Sequence, residues 1–348
     1  MKILITGNMG YIGPIVAKHF RERFPDCYIV GLDTCFFGHC LTVKNFLPEH
    51  YIDEQFFMDV RDIEPSFLSS FDSIVHLAAV SNDPIGNKFE SVTDEINHLA
   101  TVRLAEIASD QGIKSFVFAS SCSMYGSAGD GEKKESDALN PISAYARSKV
   151  AAERGLGFIN NSSMAITSLR FSTACGFSPR TRLDLVLNDF VACAISENKI
   201  TVLSDGSPWR PLIDVKDMAR AIEWAVFRVK DNDSGYLAVN VGAALWNFQV
   251  KDLAASVARI IPKTLISINA DALPDKRSYK VDFSLFKKLA PNHQPISTLD
   301  FSIKELYQGL DLIKFADKNF RNSHFMRLKV LEDLMQKEYI DINLRWRI

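Results

Sequence analysis

The sequence predicts a doubly wound α/β fold, a parallel sheet with helices on both faces, joined to a smaller C-terminal α/β lobe. Three observations carry this expectation. An apolar run, Ile3-Leu4-Ile5, leads into glycines at a G-x-x-G-x-x-G spacing (Gly7, Gly10, Gly13) and then into a helical pattern. Short apolar runs alternate with helical periodicity as far as Phe171, as strand–helix–strand units do. Beyond about residue 175 the pattern becomes less regular. The expected boundaries are 1–175 for the sheet domain, completed by segments near 212–245, then 176–310 for the lobe and 311–348 for a helical extension.

Composition narrows the classes. The 348 residues are 47% hydrophobic with a formal net charge of −2. That supports a sizeable core and gives no electrostatic reason to expect nucleic acid or an anionic membrane. No apolar run approaches the roughly 20 residues that span a bilayer. The N-terminus enters a strand without a signal-peptide pattern, so a cytoplasmic protein is expected. Cys27, Cys35, Cys40, Cys122, Cys175 and Cys193 lack C-x-x-C spacing. Reduced thiols are expected, with neither a metal site nor a disulfide framework.

The turn after the first strand is the first candidate site. A helix N-terminus presents unpaired N–H groups and partial positive charge, which suit a pyrophosphate. Gly7 permits the tight turn, Gly10 a close phosphate approach, and Gly13 close packing of helix on strand. The bland alternative is an ordinary strand-to-helix turn. Tyr28–Asp33 reads as a second strand, with Asp33 about twenty residues past Gly13, where a carboxylate can accept from an adenosine ribose diol. A carboxylate there repels a 2′-phosphate, and residues 34–37 supply no arginine. NAD is therefore expected rather than NADP, with a turn-capping surface Asp as the alternative.

Gln55–Val60 reads as a third strand. Asp59 at its end can meet an adenine amino group or cap the helix expected near 63–68. Ser73–Ala79 reads as a fourth strand, whose Ala78 and Ala79 let backbone lie against a cofactor, with His76 in the core. A helix over Thr93–Asp110 places Asn97 beside apolar Ile96, either partly buried or on a solvated face. Lys114–Ser121 reads as a fifth strand ending in hydroxyls. Doubly wound sheets bind ligands at the carboxyl ends of their strands, where these polar residues fall.

Tyr145 and Lys149 are four apart at the start of a helical run and so share one face. A free tyrosine has a pKa near ~10 and is a poor base at neutral pH. A nearby lysine ammonium favours the phenolate, as does a cationic nicotinamide ring. Tyr145 can then exchange a proton with an alcohol while hydride moves, with a serine of the fifth strand end holding the same oxygen. Y-x-x-x-K alone is common on surface helices; with the glycine turn, Asp33 and the serine-rich strand end it becomes specific.

Together these residues resemble the extended short-chain dehydrogenases/reductases, the nucleotide-sugar epimerase/dehydratase group with its Rossmann-type sheet. The resemblance rests on Thr6 to Gly13, Asp33, Asp59-Val60, Leu77-Ala78-Ala79, Asn97, Ser120-Ser121 with Met124-Tyr125-Gly126, Tyr145 to Lys149, and Leu169-Arg170-Phe171. Trp209 to Ala219 and Asn240-Val241-Gly242 extend it to about residue 310. It implies that Tyr11 and Ile12 meet the pyrophosphate through backbone, and that Asp33 holds the ribose. Asp59 and Val60 would contact adenine, Leu77 to Ala79 would line the groove with Asn97 and Ser172, and Lys149 would bond the nicotinamide ribose. Ser121, Tyr145 and Lys149 are the implied catalytic group. Ser81, Ser121, Cys122, Ser123 and Thr173 would face the substrate. In the family such sites often sit in homodimers paired through the helices around Asn97 and Tyr145, so a homodimer is expected.

Departures from the family pattern narrow the reaction. The sugar 4,6-dehydratases carry an Asp-Glu pair after the active-site Ser or Thr; here Cys122 and Ser123 follow Ser121, which disfavours elimination of water. The UDP-galactose epimerases usually continue with Phe-Asn-Pro; this chain has Ser172-Thr173-Ala174. Asp214 stands where His or Tyr is usual.

In the second half Arg180 and Arg182 precede an amphipathic helix reaching about Ser196. They either bind a diphosphate or form a solvated helix start. Arg210, in a turn, and Arg277, in the polar loop 274–279, match positions where the family holds the substrate's diphosphate, a task suited to the planar guanidinium fork. Residues 303–337 read as mostly helical. The expected function is an NAD-dependent nucleotide-sugar epimerase. A reductase or dehydrogenase of a nucleotide-linked keto-sugar is the alternative, and a catalytically silent NAD sensor the third.

Overall fold

The computed structural model describes residues 1–159, 163–229, 235–269, 271–272 and 277–347. Residues 274–276 of the polar loop named above lie outside them. Seven strands form one parallel sheet: β1 (Lys2–Thr6), β2 (Tyr28–Asp33), β3 (Glu54–Phe57), β4 (Ser73–His76), β5 (Ser115–Ser121), β6 (Ala165–Phe171) and β7 (Tyr236–Val241). Their order is β7-β6-β5-β4-β1-β2-β3, every neighbour parallel. The order reverses direction at β1 and β4, the place where such sheets open a crevice.

Both faces are covered because successive strand residues point to opposite sides. Leu4 packs in one layer with Val30, Ile74 and Phe116. Its neighbours Ile3 and Ile5 pack in the other with Ile29, Val75 and Val117. Helices α2 (Ala100–Asp110) and α3 (Ala144–Gly157) cover the first layer through Leu104, Ala108, Ala152 and Leu156. Helices α1 (Gly13–Arg23) and α5 (Val215–Val226) cover the second through Val16, Phe20, Ala219 and Ile222.

The third and fourth strands end earlier than the sequence predicts. Asp59 turns out of the ladder and caps a 3-10 turn, accepting from the Arg61 backbone N–H at 2.8 Å. The expected continuous helix over 93–110 carries a π-turn at Glu95–Leu99 before α2 begins. His76 is core as expected, linking Thr6 and Thr101 at 2.7 and 2.9 Å; burial pushes its pKa down to about 3.

The lobe has its own core, built from α4 (Val186–Glu197), α6 (Val250–Ile260) and α7 (Leu299–Leu312) with small sheets. Asp214 is buried at the head of α5, where it accepts from the Lys216 N–H at 2.9 Å and the Ser302 hydroxyl at 2.5 Å. Burial raises its pKa to about 6. The C-terminal extension divides between the two halves. Phe315, Phe320 and Phe325 pack into the lobe core. Val330, Leu331 and Leu334 of α8 (Arg327–Gln336), with Ile340 and Leu344, pack into the first sheet layer. The chain end thus spans the crevice from one half to the other. Among the described residues no helix is long and apolar enough to cross a membrane, no group of side chains could hold a metal, and all six cysteines are free.

Candidate active site

A cavity of about 890 Å³ runs along the carboxyl ends of the strands. At one end lies the glycine turn. Gly7 has φ +73°, and a Cβ there would sit 2.5 Å from the Ala78 backbone nitrogen, so no side chain fits. A Cβ on Gly13 would fall 2.2 Å from the Asn8 carbonyl; Gly13 therefore sits behind the turn and does not line the cavity. Helix α1 has no side-chain cap at Ile12. The backbone N–H groups of Tyr11 and Ile12 donate to none of the described residues, although both residues line the cavity. Uncapped donors at a helix start form an anion site.

Asp33 lines the same end and accepts from the backbone N–H groups of Met9 at 3.0 Å and Cys35 at 2.8 Å. Its burial raises the carboxyl pKa against those hydrogen bonds. Val60, Leu77, Ala78, Ala79 and Ser172 also line the cavity. Asp59 lines it too, but its carboxylate is engaged by Arg61 at 3.0 and 2.7 Å; it caps the turn Val60–Asp62, while the helix expected near 63–68 starts later, from Glu64. Asn97 is a correction. It is fully buried away from the cavity, its amide bonded to the Val80 backbone at 2.8 and 2.9 Å and to Ser148 at 3.0 Å. It fixes the turn that follows β4 and does not touch the groove.

Tyr145, Lys149 and Ser121, which the sequence singles out for proton transfer, occupy the middle. Ser143 caps α3 through the Ala146 N–H at 3.1 Å, and the next turn carries Tyr145 and Lys149. The Lys149 Nζ donates to the Ala119 carbonyl at 2.8 Å and lies 5.8 Å from the centre of the Tyr145 ring. Ser121 donates to Ser123 at 2.9 Å and stands close enough to the Tyr145 phenol to favour its ionised form. The electrostatics differ from the expectation that Lys149 lowers Tyr145. Burial pushes Tyr145 up to about 12; Ser121 and Arg182 oppose that rise, and Asp83 adds to it. Burial also drives Lys149 down to about 7, opposed by Glu153. In this cavity desolvation outweighs the pairing of the two groups. Glu153 is itself bound to Arg170, 2.7 Å at the shortest contact, and accepts from Ser120 at 2.5 Å.

At the far end Ser81, Ser123, Thr173, Arg210 and Arg277 all line the cavity. Arg277 reaches Asp83 at 3.1 Å, and Arg210 donates to the Trp209 carbonyl at 3.0 Å. Two sequence assignments fail here. Cys122 is fully buried, its thiol on the Arg170 carbonyl at 3.0 Å, and burial raises its pKa; it packs with Tyr125 and Tyr279. Arg180 is 1% exposed and bound to Glu49 at 2.6 and 3.1 Å, so it holds two loops together and is not free for a diphosphate. Its neighbour Arg182 does line the cavity, fixed by Asp184 at 2.9 Å and by the Ser81 hydroxyl at 3.0 Å.

Other lining residues had no distinct sequence signal. Asp83 accepts from Ser143 at 2.5 Å beside Tyr145. Asn82 has φ +122° and donates to Asp184 at 2.6 Å, a strained backbone of the kind found at functional sites. Asn82-Asp83-Pro84 reads in the sequence as no more than a helix start, and its side chains cap one (Asn82 accepts from the Ile85 N–H at 3.0 Å). From the extension, Arg321, Met326, Arg327, Leu331 and Leu344 complete the wall.

The NAD dependent epimerase/dehydratase family matches residues 3–242. The chain belongs to this family. It is similar to an uncharacterized UDP-glucose epimerase of Bacillus subtilis, YtcB, with 30% identity over 64% of this chain and 71% of that protein. It is similar to a UDP-glucose 4-epimerase of Lactobacillus helveticus at 26% identity over 76% and 84% of the two chains. Among solved structures it resembles TunA, an NAD-dependent NDP-hexosamine 5,6-dehydratase, with TM-score 0.78 and 21% identity over 91% and 99% of the two chains. It also resembles a UDP-glucuronic acid 4-epimerase of Bacillus cereus, with TM-score 0.74 and 22% identity over 90% and 100%. NAD is the cofactor of the family, and the residues here fit it: the uncapped helix start for its diphosphate, the Gly7–Ala78 approach, and Asp33 placed for its ribose diol. The fold is the Rossmann-type doubly wound sheet that the sequence predicts.

Proposed function

We propose that the protein is an NAD-dependent nucleotide-sugar epimerase. The observation that carries this reading is the pairing of an intact Ser121–Tyr145–Lys149 group with the absence of carboxylates at positions 122 and 123. Bound NAD supplies a hydride acceptor that can return the hydride it takes. Tyr145 takes the hydroxyl proton of the sugar as its carbon gives up hydride, which leaves a ketone. Ser121 donates to the same oxygen, and Lys149 holds positive charge beside the phenol ring as the proton moves. The keto-sugar turns over in the cavity, and hydride returns to its opposite face while Tyr145 gives the proton back. No electron leaves the site over the cycle.

Arg210 and Arg277 are the anchors for the substrate diphosphate, which keeps the nucleotide bound while the sugar turns. Asp83 lies close to Tyr145, but it is tied to Ser143 and Arg277, which leaves it poorly placed to abstract a proton in an elimination.

The test is turnover of UDP- and dTDP-linked hexoses and pentoses, followed by NMR and mass spectrometry. Interconversion of two epimers with no net change in nicotinamide absorbance supports the reading. Stoichiometric consumption of NADH or NADPH makes the protein a reductase of the same fold, and loss of one water makes it a dehydratase.

A further inference from the structure

Arg327 is 2% exposed, yet its side chain lines the cavity. Its guanidinium donates to the Arg180 carbonyl at 2.8 Å and to the His324 carbonyl at 3.4 Å, and lies 4.9 Å from the centre of the Phe37 ring. Among the described residues no carboxylate pairs with it. Its charged neighbours are already committed, Arg180 to Glu49 and Arg182 to Asp184. That leaves the Arg327 guanidinium without an ion-pair partner in a desolvated wall, whose next carboxylate, Asp33, is held by backbone N–H groups. Burying an uncompensated charge is costly, and burial lowers the Arg327 pKa to about 10. An anion in the cavity removes that cost.

The anion follows from what Arg327 stands against. Ser178 donates to the Tyr11 carbonyl of the glycine turn at 2.6 Å, and two residues on, the Arg180 carbonyl holds Arg327. The chain end then crosses the neighbouring edge of the groove. Trp346 Nε1 donates to the Thr34 carbonyl, next to Asp33, at 2.6 Å, and its ring lies 5.3 Å from Phe36. Arg61 donates to the Asn343 and Leu344 carbonyls at 3.0 and 3.3 Å.

We propose that Arg327 is a cofactor-binding residue, its guanidinium pairing with the diphosphate of NAD from the side opposite the glycine turn, on a chain end that Trp346 fastens over the adenosine half. The extension is then part of the NAD site. It slows release of the cofactor. The assignment rests on NAD binding alone; if the enzyme proves to be a reductase or a dehydratase, it stands unchanged.

The experiment loads the full-length protein and its Arg327→Gln, Arg327→Lys and Trp346→Ala variants with labelled NAD and follows its release. Displacement of the bound label by ADP-ribose, adenosine and UDP is measured alongside. Arg327→Gln is expected to weaken NAD and ADP-ribose about tenfold or more and to leave adenosine unchanged, the loss of one charge-assisted contact. Arg327→Lys should recover part of the loss, and Trp346→Ala should speed NAD release with the guanidinium in place. Wild-type NAD and ADP-ribose affinity in Arg327→Gln overturns the assignment. So does an equal loss for adenosine, the mark of a structural role, or a loss confined to UDP, which would assign the guanidinium to the substrate diphosphate. If Arg327→Gln does not fold, wild-type release from Trp346→Ala together with wild-type NAD and ADP-ribose affinity in the neutral Arg327→Met overturns it.

Discussion

The two ends of the cavity are built on different principles. At the cofactor end most of the wall is backbone: a glycine turn that excludes every side chain, an uncapped helix start, and the small residues Ala78 and Ala79 after β4, with Asp33 and Arg327 as its charged side chains. Along the wall opposite the glycine turn and towards the far end long charged side chains dominate, and which of these face the cavity depends on the partners each finds. Arg180 and Arg182 are two residues apart; one disappears into an ion pair with Glu49 while the other stands beside Ser81 and Tyr145. Backbone geometry ties function to residue spacing. Side-chain pairing ties it to tertiary contacts between distant segments.

The proposed proton-transfer group between the two ends gives the largest expected effect. Tyr145→Phe should lower kcat by about 10³-fold, within the range of general acid–base catalysis, with NAD content and unfolding midpoint close to wild type. A rate within tenfold of wild type would remove the tyrosine from the mechanism. Gly7→Ala tests the backbone end. The added methyl meets the Ala78 nitrogen at 2.5 Å on a backbone with φ +73°, so a loss of about 1–3 kcal/mol in stability is expected with a matching fall in NAD content. Unchanged denaturant midpoint and NAD content would mean that the approach is not tight.

The arginines sharpen the contrast. Arg180→Ala leaves Glu49 without its partner and should cost about 3 kcal/mol of stability with little change in substrate KM. Arg210→Ala should do the reverse, raising KM about tenfold or more through a lost charge-assisted contact while the midpoint stays put. Thermal melts and initial rates on the two variants read both quantities. A KM effect from Arg180 or a large melting shift from Arg210 would exchange the roles given to them.

Legibility in the sequence follows the same division. The sheet, its order of strands and helices, the glycine turn and the Tyr145–Lys149 spacing are periodic or local, and each can be read without knowing the fold. Asn97 and Cys122 could not be placed that way. Both sit in helical or turn positions next to cavity-lining residues, Ile96 and Ser121, and a rotation of one residue decides whether a side chain faces groove or core. Arg327 lay further out of reach. It comes from an extension beyond the resembling region and gains its setting only when α8 packs on the sheet domain.

The pH dependence of stability reports on the cavity's dryness, which neither end supplies alone. Lys149 has its pKa lowered from 10.5 to about 7 by burial. Between those values the unfolded chain holds a proton that the folded protein has released, so stability must rise with pH across that window. The contribution is bounded by about 1.4 kcal/mol per pH unit for one proton. Tyr145 acts in the opposite sense and later: raised to about 12, it keeps its proton when folded, so its contribution falls with pH only above about 10. Denaturant midpoints of the NAD-free protein from pH 7 to pH 10 should therefore climb relative to Lys149→Met, which lacks the titrating amine. Parallel pH profiles for the two proteins would mean that Lys149 remains solvated and charged. Loading with NAD should flatten the difference, because a ribose hydroxyl accepting from Nζ favours the ammonium and returns its pKa towards the unfolded value.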